Sequence, residues 1–95
     1  MTKADIVSNI SDKLGIDKID VQITIESFMS EVKSSLEKGE NVYLRGFGSF
    51  IIKTRAKKTG RNISKNTAVI IPAHNIPAFK ASKVFVNAVK AKVSV

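Results

Sequence analysis

The run NVYLRGFGSFIIKTR, residues 41–55, holds two stretches rich in β-branched and aromatic residues, NVYLR and SFIIKTR, separated by GFG. Residues of that kind fit the pleated, half-buried surface of a strand. Gly46 and Gly48 can both take the positive φ of a tight hairpin, so two antiparallel strands are predicted here. Phe47, held between the glycines, is expected to plug a core rather than to bind a ligand. Helical texture precedes this run and strand texture follows it before one last helix, so the fold class read from it is α+β.

On the N-terminal side the periodicity is helical. Thr2 followed by Asp5 makes a capping pair, and Ile6, Val7, Ile10 and Leu14 recur at helical spacing until Gly15 supplies a stop. Asp17 and Asp20 are placed to cap a second helix, whose apolar stripe runs Val21, Ile25, Phe28, Val32 and Leu36, with Met29 alongside and Gly39 at its end. One local signal conflicts: IDVQITIE, residues 19–26, alternates apolar and polar side chains in the manner of a strand. The stripe stays in register through Leu36, which favours the helix. Adding Ile19 and Ile23 makes that helix apolar on more than one side, and such a helix needs more than one packing partner.

On the C-terminal side the hydrophobic signal vanishes. Only Ala56 and Ile63 are apolar among residues 53–67, which therefore cannot lie over a core. Strand texture resumes at TAVIIPA, where Pro72 suits an edge or a strand end. Pro77 interrupts the chain again, and a last helix from about Ser82 can bury Phe85, Ala88 and Val89. The predicted order is ααβββα. All but two of the apolar residues lie outside residues 53–67, more than so small a body can hide, so a homodimer or a heterodimer with a paralogue is expected.

Charge is split between the halves. The sequence has 16 Lys or Arg, 8 Asp or Glu and a formal net charge of +8. All the acids lie in residues 1–40 beside five of the lysines, whereas residues 41–95 hold the remaining basic residues and no acid. An ordinary surface intersperses both signs, so one sign over this length points to a polyanionic partner, of which nucleic acid is the commonest. Catalysis finds little to work with. There is one histidine and no cysteine, the carboxylates are confined to residues 1–40, and no phosphate-binding glycine loop or metal-ligand spacing occurs. No enzymatic activity, metal, cofactor or small-molecule substrate is expected. An exposed aromatic platform for stacking bases is also lacking, which makes a basic RNA-binding protein the weaker nucleic-acid reading. The opening MTKADIVSNISDKLG has no apolar run, and AVIIPA is far too short to cross a bilayer, so a cytoplasmic protein without a membrane partner is expected.

Within the basic half, Lys53, Arg55, Lys57 and Arg61 are separated by even numbers of residues, and a continuous extended strand would project them from one face. A protruding ribbon with such a ridge fits the minor groove of duplex DNA, which is read by width and charge rather than by a unique base code. Gly60 and Asn66 bracket the tip TGRNISKN, and both tolerate a reversal of the chain. Ile63 then stands furthest from the core. It is either a lone exposed apolar residue or a wedge that unstacks base pairs and kinks the duplex.

The runs RGFGSF, RAKKTGRN and IPAHNIPAFKASK, in this order and spacing, resemble the HU and integration host factor family of bacterial histone-like DNA-bending proteins, and the resemblance spans essentially the whole chain. It implies an intertwined dimer built from one domain, residues 1–95. Residues 1–40 would form a helical dimerisation base, residues 41–81 a three-stranded antiparallel sheet with an arm at about 53–75, and residues 82–95 a C-terminal helix. Two β-ribbon arms would embrace duplex DNA through the minor groove, bending and compacting it in the nucleoid with little sequence specificity. Matched position by position, Arg55, Lys58, Arg61 and Asn62 are arm residues of the DNA-facing kind, and Lys53, Lys57 and Lys65 extend the same basic arm. Lys80 and Lys83 belong to the segment that grips phosphate near the body, and Lys3 joins the phosphate-contacting surface. Arg45 resembles the β-type subunit of integration host factor, which implies the alternative of a site-preferring subunit of that kind. Ile63 stands where the family carries a proline as the intercalating wedge, and His74 reads as a surface residue.

Overall fold

The computed structural model of the chain describes residues 1–62 and 67–95, with side chains for residues 1–60 and 69–95. Its elements are α1 (Lys3–Leu14), α2 (Lys18–Glu37), β1 (Val42–Leu44), β2 (Gly48–Arg55), β3 (Lys58–Asn62), β4 (Thr67–Ile71), β5 (His74–Ala81) and α3 (Lys83–Lys92). They fall into two compact units, Met1–Ser35 and Leu36–Val95.

In the first unit the expected helix signals operate as read. Thr2 accepts from the Asp5 amide and the Asp5 carboxylate accepts from the Thr2 amide, a reciprocal cap that satisfies two otherwise orphaned donors. Gly15 ends α1 in the left-handed region at φ 69°, its amide donating to Ser11 O. Residues 19–26 are helical. The strand-like alternation there is overridden because the apolar stripe keeps helical register beyond it. Val7 and Val21 are the buried apolar side chains, while Ile19 and Ile23 on α2 remain 71% and 57% exposed.

In the second unit, β1, β2 and β5 form one antiparallel sheet in that order, and β3 and β4 form a two-stranded ribbon. The hairpin turn closes through the Phe47 amide donating to Leu44 O, with Gly46 at φ 83° in the third turn position. A type II turn demands positive φ at that position. Gly48 departs from expectation, because it is not in the positive-φ region and its glycine is needed for space. A Cβ built there would lie 2.5 Å from Lys80 O and 2.6 Å from Cζ of Phe79. Phe47 does not plug a buried core as expected: its ring lies 5.0 Å from that of Phe79 and 5.5 Å from that of Phe85 but stays 46% exposed. Ser82 locks α3 to the same turn. Its side chain accepts from the Phe85 amide as N-cap and donates to Gly46 O, and its own amide donates to Phe47 O.

The three-stranded sheet and its ribbon extension are as expected, but a break in both long strands divides them, so that five strands stand where three were counted. Pairing runs without interruption to Arg55↔His74, stops, and resumes at Lys58↔Ile71, leaving Ala56 and Lys57 opposite Pro72 and Ala73 outside the ladders. Pro72 has no amide hydrogen to donate, which breaks the ladder at this level. Gly60 is likewise not part of a reversal. It lies inside β3 opposite Val69. Ile63, Lys65 and Asn66 lie outside the described residues.

Candidate nucleic-acid interface

Side chains directly opposite each other in an antiparallel pair share a face. The register Ser49↔Lys80, Ile51↔Ala78, Lys53↔Ile76 and Arg55↔His74 therefore sorts the β2–β5 sheet into two chemically different sides. One carries Lys53, Arg55, Lys80 and His74, all exposed, with Ile51, Ile76 and Ala78 between them. The other carries Phe50 and Phe79, whose ring centroids lie 5.0 Å apart, together with Ile52 and Pro77. The cations are thus held on one side by the packing of aromatics on the other.

Next to Lys80 the basic face opens into a concavity of about 610 Å³ lined by residues that include Tyr43, Arg45, Ser49, Lys80, Ser82 and Lys83. The GFG turn presents Arg45, β5 presents Lys80, and the capped start of α3 presents Lys83. A helix N-terminus adds partial positive charge to whatever its flanking cations attract. Arg45, Lys80 and Lys83 are therefore brought together, with Lys53 and Arg55 further along the same sheet face.

The remaining candidates are placed differently. Lys57 is exposed in the break between β2 and β3, and Lys58 begins β3 opposite Ile71. The pairing that carries the evenly spaced cations is interrupted at Ala56 and Lys57 and resumes at Lys58 in the same register. Arg61 and Asn62 have their backbone in β3, paired with Ala68 and Thr67. Lys3, in the first unit, donates from Nζ to Glu26 Oε1 at 2.9 Å. This hydrogen bond, then one from Gln22 Nε2 at 3.3 Å and the Lys3 charge itself, hold the Glu26 carboxyl below the usual carboxylate range.

Two members of the surroundings, Tyr43 and Asn41, do not stand out in the sequence as site residues. Tyr43 lines the concavity opposite Ser49, its hydroxyl accepting from Asn41 Nδ2 at 3.2 Å, and the Asn41 side-chain carbonyl in turn accepts from the Ile52 amide. Counting outward from the GFG turn gives the Tyr43–Ser49 pairing, so the signal is present there. Among the described residues no cluster of His, Cys, Asp or Glu could hold a metal ion, and no helix is long and apolar enough to cross a membrane.

Comparison with known proteins follows the same outline. The model of the family described as bacterial DNA-binding protein matches residues 1–90. A DNA-binding protein HU from Buchnera aphidicola is 38% identical over 90 residues, covering 95% of this chain and 98% of the relative. An integration host factor subunit alpha from Anaeromyxobacter is 34% identical over 94 residues, covering 99% of this chain and 83% of the relative. Among solved structures, an HU–DNA cocrystal from Anabaena superposes with a TM-score of 0.89 at 31% identity, covering 95% of this chain and 98% of that one.

Proposed function

Because the chain belongs to the bacterial DNA-binding protein family that includes HU and integration host factor, we propose that it is an architectural protein that bends and compacts duplex DNA with little sequence preference. The observation that carries this reading is the single basic face of β2–β5, continuous with the Arg45, Lys80 and Lys83 concavity, in a stretch of sequence without one acid. Lys53, Arg55, Lys80 and Lys83 take backbone phosphates near the body. Lys57, Lys58, Arg61, Asn62 and Lys65 follow the minor groove, and Ile63 serves as the wedge at the tip.

The working form is a dimer in the cytoplasmic nucleoid. The apolar surface that one chain leaves open supports it: Ile19, Ile23 and Phe28 on α2 are each more than 40% exposed, and Val7 and Val21 alone form the buried apolar core among the described residues. Relatives named integration host factor match no better overall than those named HU, so the sequence-tolerant reading stands ahead of the site-preferring one.

The test is the salt dependence of binding to a random-sequence duplex. Each neutralised phosphate contributes about −0.9 to the slope of log K against log salt, so roughly eight phosphates per dimer give a slope of about −7. A nearly flat response would remove the proposal.

A further inference from the structure

The one histidine of the sequence has no part in the phosphate and groove contacts proposed for the basic face. His74 opens β5 directly opposite Arg55, so it shares that face with Lys53 and Lys80 and is exposed there. Its ring Nδ1 lies 2.9 Å from the backbone carbonyl oxygen of Pro72, in the break between β4 and β5. A carbonyl oxygen can only accept, so Nδ1 carries the hydrogen in the neutral ring as well as in the charged one. Nε2 is then the nitrogen at which a proton is gained or lost.

That assignment decides what the ring can do to DNA. A neutral Nε2 offers a lone pair, and so do the phosphate oxygens of the backbone and, apart from the guanine amino group, the base edges of the minor groove. Two acceptors make no hydrogen bond. The protonated ring donates a charge-assisted one instead. The charged groups around it favour an anion as the partner. Arg55 stands across the pair, Lys53 diagonally, Lys57 in the facing break, and Lys58 and Lys80 further along, while β4 carries no charged residue. The acids of the same unit, Glu37 and Glu40, precede β1, which β2 separates from β5.

We propose that His74 is a proton-linked DNA contact, engaging a backbone phosphate as the imidazolium, so that each engaged subunit takes up a proton on binding. The proposal rests on the DNA-binding function inferred above. Binding that takes up a proton strengthens as pH falls. The slope of log K against pH reaches at most −1 per ring, or up to about tenfold in affinity per pH unit, where the free ring is neutral.

The test is a titration of a short labelled duplex at fixed salt between about pH 5 and 8, the range in which histidine changes charge, with the parent, His74→Gln and His74→Ala. Calorimetry in two buffers of different ionisation enthalpy counts the protons directly. The parent is expected to lose affinity as pH rises and to take up protons, while both variants lose that component yet keep salt-dependent binding. Superimposable pH profiles and equal proton uptake in all three proteins, with salt-dependent binding intact, would overturn the His74 assignment alone. Absence of salt-dependent binding in the parent would overturn the DNA-binding function with it.

Discussion

The ammonium nitrogen of Lys3 and Oε1 of Glu26, on α1 and α2, lie 2.9 Å apart, each side chain about half exposed. A phosphate that recruits Lys3 must compete with this carboxylate. Glu26→Gln is therefore expected to raise DNA affinity by about two- to fivefold at low salt, the range set by exposed ion pairs. Fluorescence anisotropy on one duplex checks it, and an unchanged affinity would show that Lys3 takes no part.

The same pair predicts how stability responds to acid. The Glu26 carboxyl is held below its ordinary value of 4.5, chiefly by the Lys3 hydrogen bond and then by that of Gln22. A carboxyl with a depressed folded value stabilises the fold above its unfolded value and loses that contribution as pH falls through the folded one. The difference in melting temperature between parent and Glu26→Gln should be steady near neutrality and close at pH below about 4. A gap that persists in acid would refute the assignment.

Three glycines should respond to alanine in three ways. Gly48→Ala places a Cβ 2.5 Å from Lys80 O, which the sheet cannot yield cheaply, and should cost about 1–3 kcal/mol. Gly46→Ala meets no atom within 4 Å but sits at φ 83°, a cost of about 1–2 kcal/mol. Gly60→Ala, inside β3 with its nearest neighbour 4.0 Å away, should be neutral or stabilising by up to about 1 kcal/mol. Urea midpoints rank the three, and a Gly60→Ala variant less stable than Gly48→Ala would contradict the strand placement.

Phosphates can be counted one at a time. Lys80→Ala and Arg55→Ala should each make the salt dependence shallower by about 0.9 per subunit, and so by about 1.8 for a dimer that carries the change in both chains, whereas Lys90→Ala, near the end of α3, should leave it unchanged. Equal slopes for all three would mean that the basic face is not where DNA lies.

Kinking is to be read separately from binding. Ile63→Ala is expected to keep most of the affinity and lose ring-closure efficiency on short duplexes, since removing a wedge withdraws the unstacking that bends the helix. Ile63→Pro should restore bending. Equal ring closure by Ile63→Ala and the parent would assign the bend to the arms alone.

Much of the fold is written in local signals. The reciprocal Thr2 and Asp5 cap, the stop at Gly15 and the turn at Gly46 each depend on neighbours a few residues apart, and each lies where the residue pattern places it. The candidate cations are legible for the same reason, but not their grouping. Whether Lys80 shares a face with Lys53 depends on the register between strands some thirty residues apart, and a slip by one residue would move it to the aromatic side. Gly48 reads as a turn glycine in the sequence because the crowding by Phe79 and Lys80 comes from a distant strand. The interruption of the ladder at Ala56 and Lys57 is not legible in the basic strand itself, because Pro72, which lacks a donor, stands in the opposite strand.

The unpaired stations at Ala56, Lys57, Pro72 and Ala73 carry a consequence for how this architecture can vary. Within an unbroken ladder, inserting or deleting one residue inverts every side chain beyond it. A gap in both strands at the same level confines such an inversion to the ribbon, because the β2–β5 pairing is specified by its own aromatic side and by the Gly46 turn. The ribbon is thereby a separately editable part, whose length, tip and outward chemistry can drift while the platform behind it keeps the same cations in the same places.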